Sequence, residues 1–208
     1  MRRLLPAGVL LSCPLVVFAQ SPTRTIEDGV LDRIELFVNG LESPAALTVV
    51  VRPFDSSGAD LGTGGKDGKE VRQQEAGAMR AQGPQTLAEM LVAAVQESGA
   101  FRGAMVAAGG EVLPERALVV EGRFVRIDPG SRAKRYFAGF GAGKSSVEVT
   151  GTVTDADGRL LARFRQRRIG AMGVGGGDSL GKLMSDTRSI GKDIGKFLAA
   201  WARNQELD

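Results

Sequence analysis

The amino-acid sequence predicts an α+β fold: a mainly antiparallel sheet of about four to five strands, with two helices packed on one of its faces. Three observations carry that prediction. Residues 146–154 alternate apolar and polar side chains, and 160–169 answer with a second alternating run after a turn sequence. Residues 179–202 place apolar side chains at steps of three and four. A shorter helical stripe occupies 86–98.

In chain order, residues 20–45 read as a polar N-terminal extension with one weak apolar piece, Ile34 to Val38. A single domain is expected over 46–203. Its first element is the β-branched run from Ala46 to Phe54, closed by Pro53, which reads as a buried strand. Residues 55–85 are rich in Gly, Asp, Lys and Gln and read as a flexible insertion, whose later part, Lys69 to Arg80, suits a polar helical extension. Thr86 with Glu89 forms a capping-box pattern, and Leu87, Met90, Leu91, Ala94 and Val95 share one helical face up to Gly99.

Ala117 to Ile127 reads as a strand stopped by Asp128-Pro129-Gly130. Val147, Val149 and Val153 define one face of the next strand, with Glu148, Thr150, Thr152 and Thr154 on the other. Asp155-Ala156-Asp157-Gly158 is a hairpin turn. Its Asp-x-Asp-Gly spacing stops short of a calcium loop, which needs a further glutamate. In the returning strand Leu160, Ala162 and Phe164 are assigned to one face and Arg163, Arg165 and Arg167 to the other, where Glu148 can pair with them. The closing helix bears the stripe Leu183, Thr187, Ile190, Ile194, Phe197, Leu198 and Trp201. Gly191 and Gly195 lie one turn apart beside it, as expected where the helix closely approaches the sheet.

The residues absent from the sequence limit the chemistry. There is no histidine, and the one cysteine is Cys13. A Ser-His-Asp triad, a Cys-His dyad and a His/Cys zinc site are excluded. Acid-base work would fall to carboxylates, to lysines such as Lys66, Lys134 and Lys144, or to Tyr136, the lone tyrosine. No set of these is singled out as catalytic, cofactor-binding or metal-binding.

Ala138 to Ser145 (AGFGAGKS) fits a permissive phosphate-loop pattern, in which backbone N–H groups and a lysine hold phosphate and a hydroxyl binds magnesium. That chemistry requires a helix directly after the loop. Here an alternating strand follows, so nucleotide binding is the lesser reading. Two basic groups remain as a candidate binding face: Arg132, Lys134 and Arg135 in the loop, and Arg163, Arg165 and Arg167 on the strand. An acidic protein surface, an anionic lipid or an anionic polymer would suit them.

The first 19 residues have the secretory pattern: Arg2 and Arg3, an apolar middle broken by Pro6 and Pro14, and Val17-Phe18-Ala19 as a small-residue exit. Cleavage is expected between Ala19 and Gln20. Lipidation at Cys13, within Leu10-Leu11-Ser12-Cys13, is the alternative. Without Arg2 and Arg3 the formal charge of +3 falls by two, to +1, which gives no reason to expect nucleic acid as a partner.

The segment Gly122 to Thr154, with Ile127-Asp128-Pro129-Gly130-Ser131 and Gly139-Phe140-Gly141-Ala142-Gly143-Lys144-Ser145, resembles the bacterial DUF4410 family. So does the closing Ile190-Gly191-Lys192-Asp193-Ile194-Gly195-Lys196. The likeness extends over roughly 45–203. It implies an exported protein of the periplasm or outer membrane, often a lipoprotein, with no enzymatic activity and no cofactor to transfer. A non-enzymatic role through binding another envelope protein is the expectation that follows.

Overall fold

The computed structural model describes residues 21–62, 69–107, 111–130, 144–170 and 179–208. The expected leader, with Cys13, Ala19 and Gln20, lies outside them. Among the described residues, two helices and seven strands form an α+β fold around one mixed sheet. The strands are β1 (Arg24–Glu27), β2 (Arg33–Leu36), β3 (Thr48–Val51), β4 (Gly103–Val106), β5 (Ala117–Asp128), β6 (Ser146–Asp155) and β7 (Leu160–Ile169). The helices are α1 (Lys69–Ser98) and α2 (Ser179–Ala202). The spatial order is β1-β2-β7-β6-β5-β3-β4.

This corrects the expectation of four to five antiparallel strands in three places. Residues 20–45 contribute β1 and β2, an antiparallel hairpin with Ile26 opposite Ile34, and β2 pairs with β7. β4 is a four-residue strand that sequence periodicity did not mark. β3 runs parallel to both β4 and β5. A parallel neighbour needs a long crossover, and α1 supplies it between β3 and β4.

The supposed insertion at 55–85 is largely built into the fold. Asp55 and Asp60 continue along the edge of β5 beyond the end of β3, through Asp55 N–H to Gly122 O (2.9 Å), Phe124 N–H to Asp55 O (2.7 Å), Asp60 N–H to Val125 O (2.9 Å) and Ile127 N–H to Asp60 O (2.8 Å). From Lys69 the chain is helical, so Thr86 is interior to α1 and caps nothing. Pro84 sits inside this helix. Proline has no N–H to give the carbonyl four residues earlier, Arg80 O. The Ser56 hydroxyl donates to that oxygen instead, at 3.0 Å. Residues 55–60 thus repair the helix that the proline would otherwise have interrupted.

Both helices cover the same face of the sheet. Leu87, Leu91 and Val95 of α1 and Leu183, Ile190, Ile194, Phe197 and Trp201 of α2 bury against Val49, Val51, Leu118, Val120, Val147, Val149 and Val153. The expected stripe of α2 is fully buried. Its glycines face α1 rather than the sheet: a Cβ on Gly191 would lie 2.7 Å from Leu87 O, and one on Gly195 would lie 2.6 Å from Ala94 Cβ. Asp193 is buried and ion-paired with Arg168, with Gln166 Nε2 donating to it at 3.4 Å.

Two cross-strand glycines, Gly122 and Gly151, sit opposite each other on β5 and β6. On the helix side their missing side chains make room for rings. A Cβ on Gly122 would meet Phe54 at 2.7 Å, and one on Gly151 would meet Phe164 at 2.3 Å. Phe54, Phe164, Phe197 and Trp201 continue from there as a chain of ring contacts with centroids 6.3, 6.3 and 5.7 Å apart. Leu161, not Leu160, joins this core: a bulge between the Val153 and Thr154 pairings shifts the register and turns Leu160 away. At the far end, Val30 N–H donates to Leu207 O (2.9 Å) and Arg24 pairs with Asp208 (3.0 Å), so the buried Leu207 is strapped to the β1–β2 hairpin. Among the described residues no helix is long and apolar enough to cross a membrane.

Candidate functional site: the open face of the sheet

The pleat sends alternate residues of the same strands to the side away from both described helices. There β7 presents Arg163, Arg165 and Arg167, all exposed. Register puts Thr152, Thr150 and Glu148 beside them on β6, then Glu121, Arg123 and Arg126 on β5. On the other flank Arg33 and Glu35 of β2 stand beside Arg165 and Arg163. Arg52, Pro53 and Asp55 close the β5 side. The result is an open groove of about 770 Å³ with Thr150, Gly151 and Thr152 in its floor.

The acids of the groove are engaged by close partners. Glu35 accepts from Arg33 at 2.8 and 3.0 Å. Glu121 accepts from Arg52 at 2.8 Å. Asp55 accepts from the Ser57 N–H at 2.9 Å and the Ser57 hydroxyl at 3.1 Å, and these bonds, led by the backbone one, hold its carboxyl below the usual aspartate range, with Arg123 adding a smaller pull.

The other arginines of the open face are less engaged. The Glu148 pairings expected from the sequence are present but long: Arg165 Nε at 3.8 Å and Arg167 Nε at 3.9 Å. Arg163 stands 3.9 Å from Glu35 and lies over the Phe37 ring at 5.1 Å. No ion pair within 4 Å forms at Arg123 among the described residues. The side chains of Arg123, Arg163, Arg165 and Arg167 donate no hydrogen bond to any described residue. Each guanidinium carries five N–H donors, arranged for planar, bidentate acceptors.

The remaining sequence candidates lie elsewhere. Arg132, Lys134 and Arg135 fall outside the described residues, as do positions 138–143 of the phosphate-loop-like run. Its last residue, Ser145, is buried, and its carbonyl accepts from Gly170 N–H at 2.8 Å, extending the β6–β7 ladder. β6 begins at Ser146, so Lys144 and Ser145 lead into a strand and not a helix N-terminus. The Asp155 carboxylate organises the hairpin turn by accepting from the N–H groups of Asp157 (3.1 Å) and Arg159 (2.8 Å), with Gly158 at φ 82°.

Sequence reasoning missed Arg33, Glu35, Arg52 and Arg123. The alternation of Glu121 and Arg123 with Val120, Gly122 and Phe124 is the one local signal that marks two residues of this face in advance.

Fold and site together define an α+β domain with one helix-covered sheet face and one open face carrying incompletely paired arginines. A family model described as a domain of unknown function, DUF4410, matches residues 49–174, and the chain belongs to that family. Among solved structures, a PelC dodecamer from Paraburkholderia phytofirmans aligns at a TM-score of 0.40 and 10% identity, over 74% of this chain and 92% of that one. Protein XCC0632 from Xanthomonas campestris aligns at 0.40 and 10%, over 78% and 90%. Likenesses this distant carry no functional argument. No curated protein matches the chain.

Proposed function

We propose that this protein is a non-enzymatic, exported component of the cell envelope, in the periplasm or at the outer membrane, that acts by binding another protein through the open face of its sheet. One observation supports this most: the groove holds arginines whose side chains donate no hydrogen bond to any described residue, on strands fixed from behind by a packed core. A rigid platform with unmet donors is suited to recognition, because little order is lost when a partner supplies the acceptors. The sequence supports the same reading through its secretory pattern and its lack of histidine.

The test is site-specific photocrosslinking in fractionated cells. A photoreactive residue at Thr152, in the groove, should give a discrete adduct in the envelope fraction. The same residue at Lys192, exposed on α2, should not. Retention of the chain in the cytoplasmic fraction, or adducts only from Lys192, would refute the proposal.

A further inference from the structure

We infer that the occupant of the groove is an extended segment of a partner polypeptide bearing an acidic residue, its carboxylate held between Arg123 and Arg165 above Thr150, with a neutral residue two positions further on above Thr152. This rests on the binding role proposed above and names its ligand.

Spacing is the first argument. Arg123 and Arg165 both register with Thr150, from opposite sides. Neighbouring strands are roughly 4.8 Å apart, so the two guanidinium stems rise roughly 10 Å from each other, room for one carboxylate between them. One step of roughly 6.8 Å along the same face lies the row of Glu35, Arg163, Thr152 and Glu121, where the arginine stands between two acids. An extended peptide brings its next same-side residue to that row.

Charge pattern is the second argument. Glu35 and Glu121 stand in the two flanks of the groove, each held at 2.8 Å by its own arginine. A uniformly anionic polymer would have to set charge against these acids as well as against the arginines. A flat anionic bilayer would meet them too, and it does not fill a groove. A polypeptide can place an acid in the row of Arg165 and Arg123 and a neutral residue in the row of Glu35 and Glu121, which is how polar interfaces achieve selectivity.

The experiment uses the purified protein and a fluorescent threonine peptide with glutamate at every fourth position, read by anisotropy at moderate and high salt. The unaltered protein should bind it and should ignore the lysine–threonine counterpart. The Arg123→Gln/Arg165→Gln double variant should bind at least about tenfold more weakly, as expected for the loss of one bidentate charge pair. Lys192→Gln should leave binding unchanged. The altered side chains are exposed, so the double variant should keep its melting temperature within about 3 °C. Should it melt earlier, the two single variants, each expected to lose about threefold, decide the matter. Absence of peptide binding by the unaltered protein would overturn the inference, as would equal binding by the double variant. So would stronger, arginine-dependent binding of polyphosphate or phosphatidylglycerol vesicles. A Thr152 crosslink obtained alongside any of those results would leave the proposed function standing and remove only the acidic-peptide ligand.

Discussion

The two faces of the sheet are made by the same strands and obey different rules. On the covered face every step of β6 is occupied or deliberately vacant: Val147, Val149 and Val153 are buried, and Gly151 is bare so that the Phe164 ring can lie on it. On the open face the intervening residues, Glu148, Thr150 and Thr152, are only partly buried, and their arginine neighbours are exposed. One face therefore tolerates almost no change of volume, whereas the other tolerates changes of charge. A surface of this kind can vary without endangering the fold, because the pleat separates the two faces residue by residue.

The largest test of that division is Phe164→Ala. The ring lies between Phe54 and Phe197 and covers Gly151, so its removal should cost about 3–5 kcal/mol, a fall in melting temperature of roughly 6–20 °C. Its neighbour in sequence, Arg165, points the other way, and Arg165→Gln should be almost silent in the same denaturation experiment. Equal losses from the two would dissolve the comparison.

Next in size is a pair of glycines. Gly191→Ala should destabilise by about 1–3 kcal/mol, because the new Cβ meets the Leu87 carbonyl at 2.7 Å and a backbone oxygen cannot swing aside. Gly77→Ala, on α1 with nothing within 4 Å of the added atom, should instead stabilise by roughly 0.5–1 kcal/mol through helix propensity. Urea melts of both would show whether glycine is required at the helix–helix seam or merely tolerated. A stabilised Gly191→Ala protein would mean that α1 and α2 are less closely packed than described.

The smallest effect comes from an exception on the helix side. Asp186 is half-buried on α2, one of its carboxylate oxygens has no hydrogen-bond partner, and burial raises its pKa despite Lys182 and Arg168 nearby. An aspartate whose folded-state pKa is raised loses stability as pH climbs past the ordinary value of about 3.9, since the unfolded chain releases the proton more readily. Asp186→Asn should therefore raise the melting temperature by about 1–3 °C at neutral pH. The gain should vanish below about pH 3.5, where the native side chain is protonated as well. A gain that persists in acid would place its origin elsewhere.

Those contrasts also explain how much could be read from the sequence. β5, β6, β7 and α2 were legible because each is long enough to display its period. β1, β2 and β4 have four residues each, two apolar positions at most on a face, and no period to detect. The parallel pairing of β3 was hidden because its crossover helix begins in the polar stretch Lys69 to Arg80 and contains Pro84, which reads as a break until Ser56 is seen to compensate it. Leu160 was assigned to the wrong face because a bulge leaves no mark on an alternating pattern. For the open face, Arg163, Arg165 and Arg167 followed from alternation alone, and the first two line the groove. Arg33, Arg52 and Arg123 come from separate elements and converge only through a strand order that local sequence does not encode.

The strap between Leu207 and the β1–β2 hairpin has a mechanical consequence. Residues at both ends of the described chain leave the domain at one corner, where Arg24 and Asp208 touch. That corner lies at the β1 margin of the sheet, whereas the groove spans from β2 to β5. A tether attached at either end would moor the molecule by the same point. Tension on it would be applied at that corner, two strands away from Arg163 and Arg165 on β7.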